Sequence, residues 1–136
     1  MNEAAGNPPN PAATNLAILL WVCDPDDPAR LATPFFHASA AAAMDVQVEV
    51  YFTARSVLLL QPGVAASLYA ATDRRKSIYG YMREAASLGA RFFACADALA
   101  AHGLSRDALV PEVCELAGAV SFIDRVMQPG WRTLTY

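Results

Sequence analysis

The sequence predicts an α/β protein. It reads as one domain with a mainly parallel sheet of about five strands, covered by helices on both faces. Three observations carry this. Apolar runs of strand length recur along the chain, and Leu16-Ala17-Ile18-Leu19-Leu20-Trp21-Val22 is continuous, as in a strand buried on both faces. Alanine-rich or amphipathic segments of helical period separate these runs. Glycine and proline punctuate the boundaries at Pro62-Gly63, Gly89, Gly103 and Pro129-Gly130.

Residues 1–15 are rich in Pro, Asn and Ala and are expected to form a disordered tail ahead of a domain spanning 16–136. The first strand runs from Leu16 to about Cys23 and ends in the acidic loop Asp24-Pro25-Asp26-Asp27. A leading turn from Pro28 and a main helix from about Thr33 follow, because Pro34 would kink a helix running through it. Phe35, Ala38 and Ala42 share one face of that helix. The second strand is Val46–Phe52, and its polar alternates Gln47 and Glu49 suggest a face or end that is less covered. Thr53–Leu60 reads as a loop or short helix, and Val64–Ala71 as another short helix. Thr72 is placed to cap a long helix through Leu88, with Ile78, Met82, Ala85 and Leu88 on one stripe and Gly89 ending it. The third strand is Arg91–Cys95, with a short helix behind it closed by Gly103. Ser105–Leu109 forms a polar turn, Val113–Ala117 a short fourth strand, and Gly118–Met127 a helix with Val120, Ile123 and Met127 on one face. Trp131–Tyr136 is the last strand.

The apolar share is 55%, much of it alanine, and the charged share 17%, a composition rich for a monomer that points to an apolar face covered by a partner subunit. A net charge of −3, with Arg74-Arg75-Lys76 as the only basic cluster, gives no electrostatic case for nucleic acid. The apolar run at 16–23 is too short to span a bilayer. Three cysteines without CxxC or zinc-type spacing argue against disulfides and a structural metal, and favour a reducing, cytoplasmic setting. Neither GxGxxG nor GxxxxGK occurs, and the Asp-rich turn after the first strand would repel a pyrophosphate. No Ser/His/Asp set or paired carboxylate supports a hydrolase.

Cys95 is the candidate reactive residue, since it stands at a strand end and a helix start. Unpaired N–H groups and the positive dipole end there favour the thiolate, which is the reactive form of cysteine. A core-filling role is the inert alternative, since free cysteine is among the most buried residue types. In an open parallel sheet, sites lie beyond the carboxyl ends of the strands. That edge is expected to collect Cys23, Asp24, Thr53, Arg55, Cys95, Ala96 and Asp97. Cys23 reads as the last core residue of its strand, and Cys114 as a resolving thiol only if its sulfur comes within bonding range. Arg74, Arg75 and Lys76, placed in a first helical turn, read as a solvated face, or else as an anion site or a docking patch for an acidic partner. His102 reads as a dipole partner in the last turn of the Cys95 helix, and His37 as a surface or subunit-contact residue. Tyr79, Tyr81 and Trp131 read as core or interface.

Four segments resemble the DsrE/DsrF-like family, which includes small sulfur-relay proteins of the TusD and YchN type. They are the first strand with its Asp/Pro loop and alanine-rich helix, Val50-Tyr51-Phe52-Thr53, the stretch Gly89 to Ala96 with Leu99 and His102-Gly103-Leu104, and Gly118-Ala119-Val120-Ser121-Phe122-Ile123 leading to Arg132–Tyr136. Two turns depart from the family pattern: Met44-Asp45 stands where a glycine is common, and Ala54-Arg55 where an acidic or Asn-Gly pair is common. The resemblance implies a three-layer α/β/α domain assembling as trimers or hexamers. It also implies that Cys95 carries sulfur as a persulfide between donor and acceptor proteins, without metal or organic cofactor. Two other functions remain open at this point: an oligomeric binding or regulatory module with no sulfur chemistry, and a thiol redox switch pairing Cys95 with Cys114 or Cys23.

Overall fold

Each predicted strand forms, and all pair in parallel. The computed structural model describes residues 14–136, so residues 1–13 of the expected tail lie outside the described residues. The strands are β1 (Asn15–Leu20), β2 (Gln47–Phe52), β3 (Arg91–Ala94), β4 (Val113–Leu116) and β5 (Trp131–Thr135). The helices are α1 (Ala32–Ala43), α2 (Ile78–Ser87), α3 (Ala96–Ala101) and α4 (Ala119–Met127), with short 3-10 turns in the connections. Strand order is β4-β3-β2-β1-β5.

Handedness then fixes the layers. From β1 through β4 the chain steps one way across the sheet, so right-handed crossovers put α1, α2 and α3 on one face. The return from β4 to β5 runs the other way and puts α4 on the opposite face. Two apolar clusters match this division. The larger holds Phe35 of α1, Met82 of α2 and Leu99 of α3 against Val48, Val50, Phe52 and Phe92. The smaller holds Ala17, Tyr51, Phe93 and Phe122 of α4. The result is a three-layer α/β/α fold.

The differences from sequence expectation are local. Trp21 and Val22 leave the sheet and are each 56% exposed, although their N–H groups still donate to the Tyr136 carbonyl at 2.9 and 3.0 Å. The helix expected from Thr72 begins at Ile78. Ser77 caps it by accepting the Gly80 N–H at 3.0 Å, while Arg74 has φ +51, which no helix interior holds. The basic run Arg74-Arg75-Lys76 therefore belongs to the preceding loop rather than to a first helical turn. Leu88 lies outside the buried stripe of α2, at 45% exposure. Val64–Ala71 holds only a 3-10 turn, Ala65–Ser67. Gln47 is exposed as expected, but Glu49 is buried, because Arg125 of α4 reaches it.

Two non-glycine residues take left-handed backbone at the turns that depart from the family pattern: Asp45 (φ +61) after α1 and Ala54 (φ +49) after β2. An alanine there has no side-chain hydrogen bond to offset the clash between its Cβ and the backbone. Ala54→Gly is expected to raise stability by roughly 0.5–1 kcal/mol, the left-handed penalty less the added chain entropy of glycine. Urea unfolding checks this, and a loss of stability would contradict it.

α4 is amphipathic in an unusual sense. Phe122 is its one buried residue, and Ser121 and Arg125 accompany it toward the sheet. Val120, Ile123 and Met127 form the stripe that the sequence shows, but it faces outward, at 86, 53 and 76% exposure.

Candidate functional site

Cys95 is held by backbone on both sides. Its N–H donates to the Phe52 carbonyl at 2.9 Å, which extends the β2–β3 ladder by one residue. Its carbonyl accepts the Leu99 N–H at 3.0 Å, which closes the first turn of α3. Cys95 is thus the N-cap of α3, as predicted, but its thiol caps no backbone group. The residue is half-buried.

The strand order gives this position its significance. β3 continues into α3 on one face of the sheet, while its neighbour β4 continues into α4 on the other. Two adjacent strands whose exits diverge leave a crevice at their carboxyl ends, the usual place for a ligand in open α/β sheets. Cys95 and Gly118 stand on its two sides. The Ala117 N–H donates to the Ala94 carbonyl at 3.0 Å, so Gly118 comes next to the thiol. A Cβ built on Gly118 would lie 3.5 Å from the Cys95 sulfur.

Two clefts open on Cys95, Ala117, Gly118 and Ala119. One, about 250 Å³, is walled by Leu19, Tyr51, Phe52, Thr53, Phe122 and Ile123. The other, about 370 Å³, is walled by Ala96, Asp97, Leu116 and Val120. Asp97 is the single charged residue lining either cleft. The thiol stands between two largely apolar hollows.

The other predicted edge residues divide. Thr53 joins the first cleft, and Ala96 and Asp97 join the second. Asp24 and Arg55 pair with one another at 2.8 Å, and Arg55 also reaches Asp26 at 3.2 Å. Arg55 holds the Asp24 carboxyl below the usual carboxylate range. Neither residue lines a cleft with Cys95. Cys23 is buried, and desolvation pushes its thiol up to about 11. Cys114 is exposed on β4. Ala94 lies opposite Leu116, two residues beyond Cys114. The strand rise and spacing then put Cys95 and Cys114 on the order of 10 Å apart, too far for a disulfide. His102 ends α3 at the far end from Cys95, and His37 contacts the Tyr136 hydroxyl. Tyr79 hydrogen-bonds Glu112, Tyr81 packs on Phe36, and Trp131 lies under the Arg125 guanidinium. Among the described residues, no three His, Cys, Asp or Glu side chains gather as a metal ion needs, and no helix is long and apolar enough to cross a membrane.

Burial of Cys23 and Tyr51 sets an alkaline limit. Desolvation raises the Cys23 thiol from 9.0 to about 11, and desolvation and then Glu49 raise the Tyr51 phenol from 10.0 to about 12. Both groups are neutral in the folded chain and ionise earlier in the unfolded one. Their contribution is therefore complete below about pH 9 and is lost as pH rises toward about 12. Denaturation midpoints are expected to hold up to about pH 9 and then fall. A flat profile through pH 11 would contradict this.

The sequence pattern of the DsrE/DsrF-like family matches residues 17–136. The chain belongs to the DsrE/DsrF-like family. That match spans all five strands except the first two residues of β1, and includes both walls of the crevice. Two solved structures share the fold. The ychN protein from E. coli superposes with a TM-score of 0.70 at 13% identity, covering 90% of this chain and 99% of that one. MTH1491 from Methanobacterium thermoautotrophicum, a protein of unknown function, superposes with a TM-score of 0.65 at 23% identity, covering 90% and 98%. No curated protein is similar enough in sequence to be matched to this chain. In this DsrE/DsrF-like chain the sequence points to Cys95 but leaves out Gly118, Tyr51, Phe122 and Ile123, whose approach depends on strand order rather than on any local pattern.

Proposed function

We propose that the protein is a sulfur carrier, which accepts sulfane sulfur on Cys95 as a persulfide and passes it to an acceptor. The supporting observation is the contrast among its three thiols: Cys95 is half-buried at the switch point of the sheet with its sulfur uncommitted, Cys23 is buried with its thiol pushed up to about 11, and Cys114 is exposed on β4 away from the crevice. In the reaction, the Cys95 thiolate attacks the outer sulfur of a donor persulfide, R–S–SH. A new S–S bond forms on Cys95, the donor S–S bond breaks, and its electron pair leaves on R–S⁻. An acceptor thiolate then takes the outer sulfur and regenerates the Cys95 thiolate. The apolar walls of the first cleft shield the persulfide from water and oxidants. No metal or organic cofactor enters these steps. The protein acts in the cytoplasm as a trimer or hexamer of this chain, with donor and acceptor proteins meeting the crevice. Alkylation of the native protein tests the requirement for access: the proposal needs Cys95 to react, and a Cys95 thiol inert in the assembled protein defeats it.

The outward stripe of α4 favours a second reading, an oligomeric binding or regulatory module of the same fold without sulfur chemistry. A partner that co-purifies equally with Cys95→Ser supports this module. Loss of that partner in the variant supports the carrier.

A further inference from the structure

Glu49 is the one charged residue buried in the molecule among those described, at 2% exposure. The sequence suggests a less covered face or end of β2, and the carrier chemistry makes no use of a carboxylate there. It nevertheless has three hydrogen bonds. The Arg125 guanidinium donates to it through Nε at 2.7 Å and through Nη2 at 3.3 Å. The Tyr51 hydroxyl donates to it at 2.9 Å. Tyr51 lines the Cys95 cleft, and Arg125 shares α4 with residues of the opposite wall. The Tyr51 ring is part of the wall supplied by the sheet, while Arg125 sits two turns along α4 from Gly118 and Ala119, the wall supplied by the helix. α4 buries only Phe122, so few apolar contacts set its place on the sheet. A bidentate charged pair whose carboxylate is buried is directional, unlike apolar contact, and fixes both rotation and slide of the helix that carries it. Arg125 is itself fixed from the other side by the Trp131 ring, 4.4 Å from its guanidinium carbon.

We infer that Glu49 is a positioning residue for Cys95: one buried carboxylate ties the sheet wall and the helix wall together and thereby sets the width of the cleft at the thiol. This rests on the carrier reading only for its biological purpose; the geometry of thiol access stands apart from it.

The three cysteines supply their own controls for a test. Cys114, exposed on β4, is the reference for intrinsic reagent reactivity, and Cys23, buried in the main core, reports opening of the whole domain. The measurement is the rate of labelling of each cysteine in the native protein by N-ethylmaleimide and by the bulkier N-pyrenylmaleimide. Two variants are compared with the wild type. Glu49→Gln keeps an acceptor for Tyr51 but sets an amide against the guanidinium. The double variant Glu49→Gln/Arg125→Met removes the charges from both sides, so it regains stability without regaining the tie. The expected result is a rise of about ten-fold in the bulky-to-small rate ratio at Cys95, relative to Cys114, in both variants, with Cys23 unlabelled. A ratio within two-fold of the wild type in the double variant overturns the inference and leaves Glu49 a structural residue. Labelling of Cys23 in step with Cys95 overturns it too, because the whole domain is then opening. Persulfide loading of the wild type, read separately by mass, decides the carrier reading without touching this result.

Discussion

Phe92→Ala is expected to cost roughly 3–5 kcal/mol, a large part of the stability of a domain this size. Phe92 is fully buried in β3, between β2 and β4, and its ring meets those of Phe52 at 5.3 Å and Phe35 at 6.0 Å. The three aromatics join two strands to α1, so the loss of one ring leaves a void that neither a strand nor a helix can move to fill. Phe122→Ala on the opposite face should cost less. That ring is 7% exposed, lines an existing cleft, and belongs to a cluster of only four buried residues. Urea unfolding of the two variants side by side checks the ranking. Equal losses would mean that the α4 face carries as much of the stability as the main core.

For the proposed homo-oligomer, Met127→Lys is expected to prevent assembly while leaving the protomer folded. Met127 is 76% exposed in the last turn of α4, where a cation interacts favourably with the helix dipole, so the isolated fold loses nothing. Buried against another copy, the ammonium would lack a partner, and dissociation constants should rise on the order of a hundred-fold or more. Val120→Asp does the same at the other end of the stripe, where an acidic residue suits the first turn. Sedimentation measures the outcome. An unchanged mass in both variants would remove the α4 stripe from the interface.

The layout of the sheet is legible because strands of a parallel sheet are buried along their length. β1 announces itself as an unbroken apolar run and β3 as Phe92-Phe93-Ala94 behind a leading arginine, and the glycines at 89 and 103 stop α2 and α3 in left-handed conformation (φ +113 and +65). Cys95 is legible for the same local reason, as the residue between an apolar strand and an alanine-rich helix. What escapes sequence reading is set by contacts between distant segments. Glu49 reads as partly exposed because its partner Arg125 lies 76 residues away. The stripe Val120, Ile123, Met127 reads as a helix face but carries no sign of which way it turns; Phe122 and Arg125 decide that by taking the inner side. Thr72 reads as the cap of α2, but Ser77 caps it instead. The left-handed backbone at Arg74 rules out a helix that starts at Thr72. Gly118 reaches the thiol only because β4 lies beside β3, and strand order is not written in any single segment.

Incubation of the purified protein with a persulfide donor, followed by intact and peptide mass analysis beside Cys95→Ser, tests the carrier role. The expected result is a gain of one sulfur confined to the Cys95 peptide and absent from the variant, with Cys23 unchanged. No gain, or an equal gain on all three cysteines, would contradict it and leave the family fold serving as a binding module.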